Sequence, residues 1–94
     1  MNIDIKHNQN DSRGIFFYKK EEKTMAELTY SHEDNVMTID HTEVNPDLEG
    51  NGIGTQLVHK AVEYAQKNNM KVHPLCPFAE VLFDENDQWS DLRV

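Results

Sequence analysis

The chain has one cysteine, Cys76, among 94 residues. No internal disulfide framework is available to it, and a reducing compartment is expected. No apolar run approaches the length that spans a bilayer, and Met1 to Lys6 carries no apolar signal region. A cytoplasmic protein with no membrane partner is the expectation. Positive charge is scarce as well. Nine Lys and Arg stand against seventeen Asp and Glu, for a net charge of −8. A DNA or RNA partner calls for the opposite balance, so no nucleic-acid partner is expected. Repeats, low-complexity tracts and linkers are missing too, and the length suits one domain over residues 1–94. Glycine is also rare. Of four in the chain, three fall on alternate positions, Gly50, Gly52 and Gly54.

The residues around those glycines read as strand, loop and helix. Asn2–His7 alternates weakly, with Ile3 and Ile5 on one face, as a short edge strand does. Asn8–Gly14 is turn material. Ile15–Tyr18 is β-branched and aromatic, a second strand. Lys19–Lys23 is a charged turn, and Met25–Ser31 alternates with Ala26, Leu28 and Tyr30 on one side. After a turn at His32–Asn35, Val36–Val44 forms the fourth strand. Short polar turns between four strands predict an antiparallel meander.

From Gly52 to Asn68 the period becomes helical. Ile53, Leu57, Ala61, Tyr64, Ala65 and Asn68 form one stripe, with Val58 and Val62 beside it. Lys71–Leu75 reads as a fifth strand, parallel to the fourth because a helix crosses between them. Cys76–Phe83 reads as a short second helix with Pro77 at its first position. Asp84–Val94 is an acidic tail that Trp89 and Leu92 can pin down. The fold class is therefore α+β, a mixed sheet with a crossover helix and a short C-terminal helix.

Alternate glycines ahead of a helix leave bare backbone. Its N–H groups can point at an anion, and the helix dipole favours phosphate there. A tight strand-to-helix turn with no ligand satisfies the same spacing. A Walker loop is excluded, because Gly54 runs into Thr55 with no lysine. A dinucleotide fingerprint needs a different glycine spacing and a parallel strand upstream.

Cys76 stands where the fifth strand ends and the second helix begins, just ahead of Pro77. A helix N-terminus favours a thiolate, so this is a position for a nucleophile or acyl acceptor. A small buried hydrophobe at a strand–helix corner fits the position as well. His41 is in phase with Met37 and Ile39 along the fourth strand. If the fourth and fifth strands are neighbours, His41 approaches the cleft near Cys76, and a thiol–imidazole pair suits acyl transfer. A histidine satisfied on a strand face is the alternative. His73 and Cys76 lack a second pair at zinc spacing, so no metal is expected.

The run from Val44 to Leu57, V-N-P-D-L-E-G-N-G-I-G-T-Q-L, resembles the coenzyme A pyrophosphate loop of the GNAT acyltransferase superfamily. Together with His41–Val44, Val72–Phe78 and Trp89–Leu92 it is similar to the compact YjdJ-type branch of GNAT-like proteins, over roughly residues 36–92. The resemblance implies a minimal GNAT-like fold whose fourth and fifth strands splay apart around the pantetheine arm. It implies acetyl-CoA as donor, an unidentified amine as acceptor, Cys76 as catalytic residue and His41 as its partner. It places Thr42 and Val44 on the arm and Gly50, Asn51, Gly52, Ile53, Gly54 and Thr55 at the pyrophosphate. One departure is Glu49, where the superfamily loop carries Arg or Gln. Another is the lack of the helices that build the acceptor site in full-length relatives. Three functions remain open on these grounds: an N-acetyltransferase, a coenzyme A-binding module without transfer, and an interaction domain with an empty loop.

Overall fold

The computed structural model describes residues 3–94. Its strands are β1 (Lys6–Gln9), β2 (Arg13–Lys20), β3 (Lys23–Glu33), β4 (Val36–Val44) and β5 (Lys71–Pro74). They form one five-stranded sheet in the order β1-β2-β3-β4-β5. The first four are antiparallel neighbours, and β5 runs parallel to β4. Helix α1 (Ile53–Lys67) makes the crossover between β4 and β5, and α2 (Pro77–Glu85) follows β5.

Strands β2 and β3 are longer, and the turns that flank them tighter, than their residue types suggest. Asn2 lies outside the described residues, and the edge strand begins at Lys6 rather than there. Asn8 and Gln9 belong to it, opposite Ile15 and Gly14. The turn closes quickly because the Asn10 side chain accepts from the N–H groups of Ser12 and Arg13, at 3.0 and 2.9 Å. The next two hairpins turn on Glu21-Glu22 and Asp34-Asn35. All four residues have positive φ, between 52° and 66°, as a two-residue type I′ loop demands. Gly14 is a strand residue for a steric reason. It lies opposite Tyr30, and a Cβ there would fall 2.2 Å from the ring.

Cross-strand pairs set the two faces of the sheet. Phe16, Ala26, Leu28, Tyr30, Met37 and Ile39 are buried on one of them. Helix α1 covers that face with Ile53, Leu57, Val58, Ala61, Val62 and Ala65, as its period predicts, whereas Asn68, expected on the same stripe, is the exposed C-cap. Tyr64 is half-buried at the rim, where its hydroxyl donates to Gln9 Oε1 at 2.7 Å. Tyr30 is fully buried and its hydroxyl lies 2.6 Å from His7 Nε2. Burial, helped by Tyr64, pushes the Tyr30 phenol up to about 12.

Helix α2 joins α1 on the same face and runs to Glu85, two residues past the expected end. Trp89 is buried between them, with ring centroids 5.0 Å from His59 and 4.9 Å from Phe83. It pins the C-terminal segment against β5. Val72 N donates to Leu92 O at 2.8 Å, and Val94 N donates to Val72 O at 2.9 Å. Among the described residues, no helix is long and apolar enough to cross a membrane.

Candidate functional site

The site is built on an irregularity in β4. Tyr30 pairs with Ile39 and Thr29 pairs with His41, so Asp40 has no partner on β3. This is a β-bulge, two residues against one, and it resets the alternation. Met37 and Ile39 face the core before it. Beyond it Thr42, opposite Leu28, and Val44, opposite Ala26, take over the helix-covered face. His41 and Glu43 pass to the other face, opposite Thr29 and Glu27. A clamp holds the bulge: Asp40 accepts from Thr29 Oγ1 at 2.6 Å and from Arg13 Nη2 at 2.8 Å.

The bulge coincides with the end of pairing to β5. The parallel ladder stops at Ile39 opposite Pro74, and Cys76 N donates to Ile39 O at 2.9 Å. From His41 to Val44, β4 pairs with β3 alone. The two strands part there because the chain turns after Pro74: Leu75 N donates back to His73 O at 3.0 Å instead of to β4, and α2 begins at Pro77.

The connection to α1 starts with Asn45, whose side chain accepts from Asp47 N at 2.9 Å and caps a single turn of 3-10 helix, Pro46–Leu48. Gly50 and Gly52 then take φ of 86° and 72°, a region costly for residues with a side chain. Gly52 is the N-cap of α1 and supplies no side-chain acceptor. The first-turn N–H groups of Ile53, Gly54 and Thr55 have no partner within the helix and carry its positive dipole end.

Thr42, Val44, Gly50, Gly52, Ile53, Gly54 and Thr55 all line one cleft of about 360 Å³. Asn51 does not. Its amide turns back to donate to Leu48 O at 3.0 Å and stiffens the loop. Leu48, Glu49 and Phe78 complete the walls. The sequence put Leu48 and Glu49 within the loop run and Phe78 within the resembling Val72–Phe78 segment, and gave none of the three a role in binding.

Cys76 is the N-cap of α2 and is buried, with Sγ 3.5 Å from Thr42 Oγ1. The thiol is thus joined to the cleft through Thr42, one of its lining residues. The expected approach of His41 to Cys76 is not seen. The bulge breaks the phase on which that expectation rested. The His41 side chain is 57% exposed on the other face, and its Nε2 lies 3.8 Å from Glu43 Oε2. His73 is exposed on β5. Among the described residues, no three His, Cys, Asp or Glu side chains are grouped to hold a metal ion.

A protein-family model described as GCN5-related N-acetyl-transferase matches residues 15–92. The chain belongs to this family. Among solved structures it is similar to a GCN5-like candidate N-acetyltransferase of Staphylococcus aureus, determined in solution by NMR. That match has 34% identity and a TM-score of 0.74, over 99% of this chain and 89% of the other. The larger family members share the fold alone. One is the ribosomal-protein-S18-alanine N-acetyltransferase of Escherichia coli, with 18% identity, a TM-score of 0.62, and coverage of 68% of this chain and 42% of that one. Another is a candidate streptothricin acetyltransferase of Bacillus anthracis in complex with acetyl coenzyme A. It has 17% identity and a TM-score of 0.57, over 67% of this chain and 37% of that one. No curated protein matches the chain. The chain thus spans less than half of these two larger enzymes. Its mixed five-stranded sheet with two helices is a minimal form of the GCN5-related N-acetyltransferase fold.

Proposed function

We propose that this GCN5-related N-acetyltransferase binds acetyl-CoA in the cleft at the end of β4 and transfers the acetyl group to an amine by way of Cys76. The observation that carries the proposal is the shared wall. The bare amides of the glycine loop and the side chain that touches the Cys76 thiol both line one cleft. The diphosphate would sit at the N–H groups of Ile53–Thr55, where dipole and unpartnered donors favour it. The arm would run along Val44 and Thr42 toward Cys76.

In the first step Cys76 Sγ attacks the thioester carbonyl carbon. The bond from that carbon to the coenzyme A sulfur breaks, and the released thiol takes the proton that Cys76 gives up. In the second step the amine attacks the acetyl-cysteine and Cys76 leaves as the thiol. His41 lies on the opposite face of the sheet from α1, beside the splay. In this reading His41 would take a proton from an amine arriving on that side, and not from Cys76.

Intact-mass spectrometry after mixing with acetyl-CoA tests this reading. The expected result is an acetyl adduct that is absent in Cys76→Ala and is discharged by an amine. Discharge slows in His41→Gln, while formation of the adduct does not. Turnover without any adduct would refute the route through Cys76. Glu49 favours a second reading, a coenzyme A-binding module without transfer, because a carboxylate on the cleft wall opposes a diphosphate. That reading predicts a thermal shift with coenzyme A and neither adduct nor turnover.

A further inference from the structure

We infer that Phe78 determines which ligands the cleft accepts: its ring and Val44 together form an apolar neck in the cleft wall, along which the pantetheine arm packs. The inference rests on the reading of the cleft as a coenzyme A site and names a residue that reading leaves without a role. Phe78 is 42% exposed on a helix whose other aromatic residue, Phe83, is buried. The exposed ring lines the cleft. It also lies directly on Gly54. A Cβ built at Gly54 would meet Phe78 Cζ at 2.9 Å and Cε2 at 3.0 Å, and Val44 Cγ2 at 3.5 Å.

Gly50 and Gly52 are glycines because their φ values are positive, and a Cβ on either would meet nothing within 4 Å. Gly54 lies within the helix and has no such φ. What it provides is space, and the group that takes up the space is the Phe78 ring. Val44, Gly54 and Phe78 therefore converge between the glycine loop on one side and Thr42 with Cys76 on the other. A ligand that reaches from loop to thiol would run along this part of the wall. The pantetheine arm is slim and partly apolar, and it would lie along the valine methyl and the aromatic ring, which sit too close together about Gly54 for it to pass between them. The nucleotide half of coenzyme A ends at its diphosphate and lacks the arm that would run on past the ring toward Thr42.

Calorimetry with two ligands tests the inference: coenzyme A, and phosphoadenosine diphosphate, which is coenzyme A without its arm. Phe78→Ala is expected to weaken coenzyme A roughly tenfold or more, the loss of one aromatic contact. Phosphoadenosine diphosphate should stay within about twofold. Phe78→Leu keeps an apolar side chain on the helix and should fall between. Gly54→Ala should weaken coenzyme A by pushing the ring into the neck, and by much less when Phe78 is already alanine.

Equal losses for both ligands would mean that Phe78 only supports the fold, and would overturn the inference. So would unchanged affinity for coenzyme A, or independent effects of the Gly54 and Phe78 substitutions. A wild-type protein that binds neither ligand would instead refute the coenzyme A site itself, and this inference with it.

Discussion

Glu49 shows how much a single side chain can oppose its surroundings. The loop around it is built from glycines and unpartnered amides that suit an anion, and Glu49 puts a carboxylate on the cleft wall. Because Glu49 is exposed, water and salt screen much of the repulsion. Glu49→Gln is expected to tighten coenzyme A roughly threefold at low salt, with the gap closing as salt rises. Calorimetry at two ionic strengths checks this. At this scale the sequence was informative about some positions and silent on others. Cys76 at the head of α2 was legible because Pro77 marks a first helical position. The three loop glycines look alike in the sequence. Two of them serve the backbone and the third serves a ring that arrives from another helix.

Among the elements, β4 carries the most consequence, because its bulge decides which residues face the cleft. Burial alone would raise the Asp40 carboxyl. The hydrogen bonds from Thr29 and Arg13, with the Arg13 charge, outweigh it and hold the carboxyl below its ordinary value of 3.8. A carboxyl depressed by folding contributes stability that is present above its unfolded value and is lost as pH falls through its folded value. Asp40→Asn should therefore cost roughly 1 kcal/mol at neutral pH. It should also remove part of the stability loss that the wild type shows below about pH 4. Urea denaturation across pH measures both. If the clamp holds Thr42 and Val44 toward the cleft, the same variant also binds coenzyme A more weakly. Strand alternation predicted β4 from Val36 to Val44 with the bounds observed, yet it misplaced His41, because an extra residue in a strand leaves no mark on composition.

The molecule as a whole has one core, between the sheet and the two helices, and Trp89 closes it at the C-terminal end. Its ring touches α2 through Phe83 and α1 through His59, while the residues after it run along β5. Trp89→Ala should cost about 3 kcal/mol or more, a large part of the stability of a chain this size. A fall in the thermal midpoint on the order of 15 °C would register it. A change of only a few degrees would show that the C-terminal segment is held by its backbone bonds to Val72 instead.

The sequence by itself determined the order and type of the elements, the crossover helix and the stripe it buries. Each of these follows from side chains repeating at the period of a strand or a helix, which local chemistry writes directly into the chain. It also announced an anion-suited loop, because only bare backbone leaves amides open at a helix start. Tertiary structure alone decided that β4 bulges at Asp40, that His41 and Cys76 part to opposite faces, and that Phe78 comes to rest on Gly54. Those outcomes depend on residues distant in the chain, Arg13 and Thr29 with Asp40 and α2 with α1, whose contacts exist only once the sheet has formed.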